Sequence, residues 1–199
     1  MRNLKKRKIG IMGGSFNPIH YGHLFIASEC YHTFSLEKVI FIPAYLPPHK
    51  KEGNIISTHH RLEMLNLAVK KDERFLVSDL EIKRGGISYT VDTLKSLRNI
   101  YGDTAEIYFL AGSDSALEIP TWKEPLKILS LCHFVAYLRP GYPLDRLEKK
   151  FRDKIISFSS LPLGISSSEI RKRVREGRPI RYLVPPEVEE YIYQNKLYK

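Results

Sequence analysis

Residues 8–23 read KIGIMGGSFNPIHYGH, and this stretch decides the fold. Residues 8–14 form a short apolar run closed by two glycines, which is typical of a buried strand that ends in a tight loop. From Tyr21 onward the apolar side chains recur at helical spacing, which indicates an amphipathic helix. A strand, a glycine loop and a helix in this order favour the start of a parallel α/β sheet.

The rest of the chain repeats this alternation of apolar runs and helical patterns. Strands are predicted at 8–14, 38–44, 74–84 with a break near Asp79, 105–112, 133–139 and 155–158. Helices are predicted at 21–34, 58–71, 90–101, 124–131, 144–154, 168–176 and 186–194. Strands that are apolar throughout need cover on both faces, and right-handed crossovers supply it. We therefore expect an α/β fold, a Rossmann-like doubly wound parallel sheet with helices on both faces.

One domain is expected over residues 1–199, with a core at about 8–160 and a small C-terminal helical extension at about 161–199. In doubly wound sheets ligands bind beyond the carboxyl ends of the strands. The loops after the strands are therefore where the chemistry is expected.

Composition limits the class of protein. No apolar run reaches the roughly 18 residues of a membrane helix, and the basic residues 1–8 lead into only a short hydrophobic stretch. We expect no secretory signal, no membrane partner and a cytoplasmic location. Cys30 and Cys132 lack a metal-ligand spacing, which favours reduced core thiols and no zinc site.

The formal net charge of +10 raises the alternative of an RNA-binding module. Lysine and arginine are scattered along the chain, and aromatic residues are not grouped on one strand as stacking platforms. A small polyanion such as a nucleotide fits this charge equally well. We therefore expect no nucleic-acid partner.

The loop after the first predicted strand has the composition of a phosphate site. Gly13 and Gly14 allow the backbone to approach a ligand, and the amides and dipole at the next helix start favour an anion. His20 and His23 lie one turn apart, where both imidazoles can donate to phosphate oxygens. On the residues alone, such a pair is also typical of a solvated or capping feature. The absence of GxGxxG and GxxxxGKS/T weighs against dinucleotide cofactors and Walker-type hydrolysis.

Two motifs resemble the signature of the nucleotidylyltransferases. Their HxGH element is matched by HYGH at 20–23, and their C-terminal ISSTxIR element by ISSSEIR at 165–171. By itself, the segment from Ser166 to Glu169 also fits an ordinary S-x-x-E capping box. Both interpretations are compatible, because a capped helix start still points free amides at an anion.

Within this superfamily the chain is most similar to the nicotinate-nucleotide adenylyltransferases, nearly end to end. The matching segments are PPHK (47–50), HRLEML (60–65), SYTVDTL (88–94), AGSDS (111–115), TWKE (121–124), RPG (139–141) and YLVPPEVEEYI (182–192). The chain departs from the family pattern where Asn17 stands for aspartate and Ser168 for threonine, and both residues keep hydrogen-bonding capacity.

The resemblance implies a nucleotidyltransferase of NAD biosynthesis, which joins nicotinate mononucleotide to the α-phosphorus of ATP and releases pyrophosphate. ATP and nicotinate mononucleotide are then the partners, and Mg²⁺ accompanies ATP without a metal site built from protein ligands. Two alternatives stay open: nicotinamide mononucleotide as acceptor, and the sibling pantetheine-phosphate adenylyltransferase, which shares both phosphate motifs. The oligomeric state is also left open, with a homo-oligomer among the options.

The resemblance also implies roles for individual residues. His20 and His23 would contact the α-phosphate and the bridging region of ATP, and Arg171 the β- and γ-phosphates. The other residues implied at ATP are the backbone of Gly13, Gly14, Ser15 and Phe16, the hydroxyls of Ser167 and Ser168, Asp114 at a ribose, and Gly112 and Arg139 beside the adenosine.

For the mononucleotide, the resemblance implies that Trp122 stacks on the nicotinate ring and that Thr90, with nearby amides, receives its carboxylate. His49 and Lys50 would reach its phosphate. On the residues alone, Asp114 also fits a helix cap, Trp122 a partly buried aromatic anchor, and the pair at 49–50 a solvated loop.

Overall fold

A computed structural model describes residues 6–48 and 55–199 of the chain. Within these residues, six strands form one parallel sheet in the order β3-β2-β1-β4-β5-β6. The strands are β1 (Arg7–Gly14), β2 (Lys38–Pro43), β3 (Phe75–Val77), β4 (Ala105–Gly112), β5 (His133–Tyr137) and β6 (Ile155–Phe158). The helices are α1 (Tyr21–Thr33), α2 (Thr58–Val69), α3 (Leu80–Arg84), α4 (Thr90–Tyr101), α5 (Ser113–Leu117), α6 (Pro125–Leu131), α7 (Lys149–Arg152), α8 (Ser167–Arg175) and α9 (Pro186–Gln194).

Each face of the sheet has its own hydrophobic cluster. Met12 of β1 points into one cluster and its neighbour Ile11 into the other, as the alternation of side chains along a strand requires. The first cluster includes Ile170 of α8 and Ile192 of α9, and the second includes Leu94 of α4. The sheet is therefore covered on both sides, which confirms the doubly wound α/β fold. The grouping of residues 1–199 into one domain stays a prediction.

Two local predictions need correction, and one helix was not predicted. The apolar run at 74–84 was expected to be a strand broken near Asp79, but only Phe75–Val77 pairs with the sheet, and the chain then forms α3. The amide of Lys83 donates to the Asp79 carbonyl at 2.8 Å, a helical bond that an apolar run this short does not reveal.

The helix expected at 144–154 is a single turn of 3₁₀ helix, Leu144–Arg146, and then α7. Leu147 and Phe151 are buried against the second cluster, and this tertiary contact overrides the continuous helical pattern. The sequence also did not predict α5, which begins directly where β4 ends.

The strand order places a crevice at the carboxyl end of β1. From β1 the chain proceeds through β2 to β3 on one side, and then crosses back so that β4 lies against the other side of β1. Loops on the two sides consequently leave the sheet in opposite directions, and a ligand can enter between them. The glycine and histidine loop lies at this point.

Candidate active site

The loop after β1 turns sharply at Phe16. This residue has a φ of 44°, in the left-handed region that non-glycine residues seldom adopt. Its ring is buried and packs edge-on against the rings of His23 (5.1 Å between centroids) and Phe41 (5.8 Å). A Cβ on Gly14 would lie 3.2 Å from the Phe16 ring, so this close approach favours glycine there.

The two histidines of the HxGH motif stack on each other. His20 is the N-cap of α1 and His23 lies in its first turn, and their ring centroids are 3.7 Å apart. Gly22 allows this packing, because a Cβ there would approach His20 Nδ1 to 3.0 Å. Nδ1 of both rings is buried and has no hydrogen-bond partner among the described residues. Buried polar atoms are normally paired, so this pair of nitrogens is a marked feature of the site.

Both imidazoles are neutral in the unliganded chain. Burial, assisted by the positive charge of Arg139, lowers the pKa of His20 to about 3. Burial also lowers the pKa of His23 well below its ordinary value, with further contributions from His20 and Arg139. A neutral imidazole keeps one N–H donor, which it can offer to an anion without taking up a proton.

The ISSSEIR segment meets the histidine loop directly. Ser166 caps α8 by accepting a hydrogen bond from the Glu169 amide at 3.2 Å. Ser167 Oγ then donates to the Pro18 carbonyl at 2.8 Å, across 149 positions of sequence. The side chain of Glu169 pairs with Arg173 at 2.9 Å, so Ser166 supplies the serine half of a capping box while the glutamate is engaged on the helix surface. The two motifs therefore converge in space.

Arg171 and Ser168 lie behind this contact. One guanidinium nitrogen of Arg171 donates to the Asn17 carbonyl at 2.8 Å, and the other terminal nitrogen to Ser168 Oγ at 3.2 Å. Neither residue is among the described residues that line the cleft. Burial lowers the pKa of the Arg171 guanidinium.

The end of β4 and the end of β5 are joined by an ion pair. Arg139 Nη1 lies 3.1 Å from Asp114 Oδ2, and the Arg139 amide donates to Ser113 Oγ at 2.9 Å. A Cβ on Gly112 would lie 2.2 Å from Asp114 Oδ1, so a side chain there would displace the carboxylate from its present position. Gly112 is the N-cap of α5, and the Asp114 side chain makes no capping bond, which excludes the cap interpretation of Asp114. Its Oδ1 has no partner in the described part of the chain.

On the other side, Trp122 comes directly after a 3₁₀ turn and is half-buried. Its ring packs edge-on against Phe109 (6.3 Å) and Phe134 (6.1 Å), so it is both an aromatic anchor and part of the cleft wall. Thr90 is the first residue of α4 and also belongs to the cleft lining.

These segments enclose one cleft of about 500 Å³. The predicted residues that line it are Gly13, Gly14, Ser15, Phe16, His20, His23, Thr90, Gly112, Asp114, Trp122, Arg139 and Ser167. His49 and Lys50 lie outside the described residues.

The cytidylyltransferase-like family profile matches residues 11–173. Over 99% of its length the chain is 49% identical to the probable nicotinate-nucleotide adenylyltransferase of Desulfitobacterium hafniense strain Y51, of which it covers 98%. It is 44% identical to the probable nicotinate-nucleotide adenylyltransferase of Thermoanaerobacter sp. strain X514, over 98% of this chain and 96% of the relative. The chain belongs to the nicotinate-nucleotide adenylyltransferase family.

Solved structures agree with the fold. Plasmodium falciparum nicotinic acid mononucleotide adenylyltransferase complexed with NaAD matches with a TM-score of 0.81, over 96% of this chain and 97% of that chain, at 23% identity. The complex of that enzyme with APC gives a TM-score of 0.79. At this identity the likeness concerns the fold. Both the family and the fold class predicted from the sequence are thus confirmed.

Within this family site, Glu81 and Lys123 are among the lining residues that were not predicted from the sequence. Glu81 is 6% exposed and accepts a hydrogen bond from Thr93, and burial raises the pKa of its carboxyl group. Lys123 Nζ lies 3.1 Å from Asp92 Oδ2 and 4.5 Å from the centre of the Tyr89 ring. Glu81 belongs to a run interpreted as strand, whereas Lys123 stands next to Trp122 in the TWKE segment, which was a usable signal.

Membrane-spanning helices and metal clusters are both absent from the described part of the chain. Residues 6–48 and 55–199 include no helix long and apolar enough to cross a membrane. The same ranges hold no group of three or more His, Cys, Asp or Glu side chains suited to a metal ion.

Proposed function

We propose that this chain transfers the adenylyl group of ATP to nicotinate mononucleotide, giving nicotinate adenine dinucleotide and pyrophosphate in NAD biosynthesis. The observation that carries the proposal is the contact between the two motifs: Ser167 reaches Pro18 beside His20, at the crevice of the sheet. Relatives at 49% and 44% identity bear the name of this activity, and a structural neighbour was solved with NaAD.

The reaction makes modest demands on the protein. A phosphate oxygen of the mononucleotide attacks the α-phosphorus of ATP, a P–O bond forms, and the bond to the bridging oxygen of pyrophosphate breaks. A phosphate monoester has its second pKa near 6, so the nucleophile is already ionised at neutral pH and no general base is needed. What remains is to align two anions and to stabilise charge on the transferring group and on the departing pyrophosphate.

His20 and His23 suit that task as hydrogen-bond donors. Their low pKa values make them neutral before ATP binds, so they do not repel the positive Arg139. A bound triphosphate favours the charged imidazolium and raises both pKa values, which strengthens the donors as negative charge accumulates. The backbone of residues 13–16 would line the approach of the same phosphates.

Arg171 is proposed to contact the β- and γ-phosphates, and Ser168 to assist it. A guanidinium has five N–H donors, and the contacts with Asn17 and Ser168 engage two of its nitrogens, so donors remain for an anion. Gly112, Asp114 and Arg139 would border the adenosine, with the unpartnered Asp114 Oδ1 available to a ribose hydroxyl.

A magnesium ion would enter this site bound to the phosphates of the nucleotide. The described residues offer no cluster of three or more ligating side chains, and Mg²⁺ at nucleotide sites is usually bound through substrate phosphates and water with only one or two carboxylates. The ion would neutralise part of the phosphate charge, while the histidines and backbone amides orient the phosphates.

At the mononucleotide end, Trp122 would stack on the pyridine ring, and Thr90 with the amides at the start of α4 would receive the carboxylate. An amide in place of the carboxylate would present its NH₂ group to these donors, which supplies discrimination. His49 and Lys50 are proposed to reach the phosphate. A cytoplasmic location and the absence of a nucleic-acid partner stay predictions from the sequence, and the oligomeric state stays open.

The deciding experiment measures pyrophosphate release with ATP and each of three acceptors. We expect turnover with nicotinate mononucleotide to exceed that with nicotinamide mononucleotide and phosphopantetheine. A preference for either of the latter would identify one of the alternatives instead. Absence of pyrophosphate with all three would refute the proposed reaction class.

Trp122→Ala tests the mononucleotide site. Loss of the stacking surface should raise KM for the mononucleotide by about tenfold, while KM for ATP changes far less. Tyr142→Ala, an exposed aromatic residue outside the cleft lining, is the matched control. A larger rise in KM for ATP would place the pyridine site elsewhere.

A further inference from the structure

Arg61 of α2 is a buried arginine whose guanidinium binds backbone carbonyls. It is 1% exposed, and it donates to three carbonyl oxygens from separate parts of the chain: Ser15 at 2.9 Å, Tyr45 at 3.2 Å and Ile56 at 3.2 Å. It thus connects the loop after β1 with both ends of the connection between β2 and α2. It does not itself line the cleft formed by the described residues.

This burial is energetically unfavourable by itself. No carboxylate of the described residues forms a direct ion pair with Arg61. Burial lowers the pKa of its guanidinium, and the more distant groups of Tyr198 and Glu81 offset this only in part. A buried charge without a directly paired counter-ion costs several kcal/mol unless hydrogen bonds compensate. Here the three carbonyl oxygens replace the lost hydration of the guanidinium. The same hydrogen bonds fix the orientation of three peptide groups.

Of the three hydrogen bonds, the one to the Ser15 carbonyl bears on phosphate binding in the cleft. In a trans peptide the carbonyl and the next N–H point in opposite directions, so the N–H of Phe16 faces away from Arg61. Ser15 and Phe16 line the cleft whereas Arg61 does not, so the side opposite Arg61 is the cleft side. Rotation of this one peptide plane would replace an N–H donor with a carbonyl oxygen, which repels a phosphate.

The backbone at Phe16 makes such rotation a real alternative. Its φ of 44° lies in a region that costs a non-glycine residue on the order of 1 kcal/mol. The observed peptide orientation therefore carries a local conformational cost, which other contacts must offset. The charged donor behind the Ser15 carbonyl is such a contact.

We propose that Arg61 is a positioning residue for the triphosphate, which holds the Ser15–Phe16 peptide with its N–H directed into the cleft. This inference deepens the proposed function and rests on it for the identity of the nucleotide. It predicts that loss of Arg61 affects ATP specifically, although the side chain never touches ATP.

Arg98 provides a matched control. It is also an arginine that donates to backbone carbonyls, those of Leu131 at 2.8 Å and Ala105 at 3.0 Å, but Ala105 begins β4 at the end of the sheet opposite the cleft. Arg98→Met therefore removes the same kind of interaction from the same fold. It separates the general effect of losing an arginine clamp from an effect on the phosphate loop.

The test compares Arg61→Met, Arg61→Lys and Arg98→Met in the unfolding midpoint, in KM for both substrates, and in the calorimetric Kd for ATP without acceptor. Arg61→Met should raise KM and Kd for ATP by about tenfold or more, with KM for the mononucleotide within about threefold of the wild type. Arg61→Lys, which keeps the charge but cannot form the full fork, should fall between Arg61→Met and the wild type. Arg98→Met should lower the midpoint and leave both KM values unchanged.

Equal rises in both KM values, or an unchanged Kd for ATP in folded Arg61→Met, would overturn the proposal. If Arg61→Met does not fold, Arg61→Lys decides alone: a Kd for ATP raised about threefold or more supports the proposal, and an unchanged Kd contradicts it. If the wild-type chain binds ATP but releases no pyrophosphate with nicotinate mononucleotide, the proposed function fails. The calorimetric comparison still decides the role of Arg61 in that case.

Discussion

The ring of His23 is held from two sides, by the stacked ring of His20 and by the edge of Phe16. This packing fixes the imidazole before any ligand arrives, so little reorganisation accompanies the reaction. A fixed donor contributes most where charge accumulates, which in adenylyl transfer is the region between the α- and β-phosphates.

His23→Ala should therefore lower kcat by about a hundredfold or more and change KM values much less. The variant should still fold, because the cavity is at the cleft wall. His60→Ala is the control, since His60 bonds to the Tyr191 hydroxyl at 2.9 Å outside the cleft lining. Near-normal kcat in His23→Ala would remove this residue from the catalytic set.

The neutral state of His20 also predicts a pH dependence of stability. An unfolded chain has a histidine pKa of about 6.5, whereas the folded protein holds the pKa of His20 at about 3. Between these values the unfolded state binds more protons, so the stability is complete above about pH 6.5 and is lost progressively as the pH falls towards 3. Glu81, whose pKa is raised, acts in the opposite direction, because its contribution is lost as the pH rises.

The free energy of unfolding should thus fall between pH 7 and pH 5, and His20 accounts for about 2 kcal/mol of the fall. Urea titrations of wild type and His20→Asn at both pH values measure this contribution as a difference of differences. His59→Gln, at an exposed histidine outside the core, is the control for the removal of a histidine that is not buried. An equally steep slope in His20→Asn would show that His20 is not the group responsible.

Among the elements, α8 has a capped N-terminus that lies at the candidate active site. Its first residue is Ser167, and its N-cap Ser166 satisfies the amide of Glu169. Ser166→Ala should lower the free energy of unfolding by about 1 kcal/mol, since one capping bond is lost. Glu169→Gln should cost less, because its ion pair with Arg173 lies on the helix surface. Thermal melts of both variants give the comparison, and a larger loss in Glu169→Gln would contradict this assignment of the cap.

The elements that the sequence predicted well share one property, a periodicity long enough to be decisive. The strands β1, β2 and β4 and the helix α4 have the expected core at nearly the expected bounds. Runs shorter than about six residues carry no decisive period, and it is there that α3 replaced a strand and α5 was missed. Asp79 marked a break correctly, but a break in a pattern does not specify whether a helix or a strand comes next.

At the scale of the whole molecule, the site depends on contacts that no local pattern contains. The motifs at 20–23 and 165–171 indicate phosphate chemistry separately, and their convergence was predictable from their joint occurrence. Arg61 and the pairing of Arg139 with Asp114 depend on which loops the sheet order brings together. Side-chain spacing does not encode such long-range partners, so these features become visible only in the fold.

Among these long-range partners, Tyr198 is the most distant in sequence from the loop after β1, which it contacts. Its hydroxyl donates to Asn17 Oδ1 at 2.9 Å across 181 positions, and the adjoining Leu197 packs in the first hydrophobic cluster. Burial raises the pKa of the Tyr198 hydroxyl, so it stays a donor at any working pH. The Asn17 carbonyl accepts a hydrogen bond from Arg171, so Tyr198 and Arg171 both donate to the same residue of the loop.

Tyr198→Phe removes this one hydrogen bond and keeps the ring. The free energy of unfolding should fall by about 1 kcal/mol, and kcat should fall about threefold or more, because Asn17 and the two histidines after it share one loop. Tyr182→Phe, at a tyrosine that is largely exposed, should alter neither quantity. Measured urea stability and pyrophosphate release separate the two effects. A stability loss with unchanged kcat would mean that the C-terminal contact supports the fold without positioning the loop.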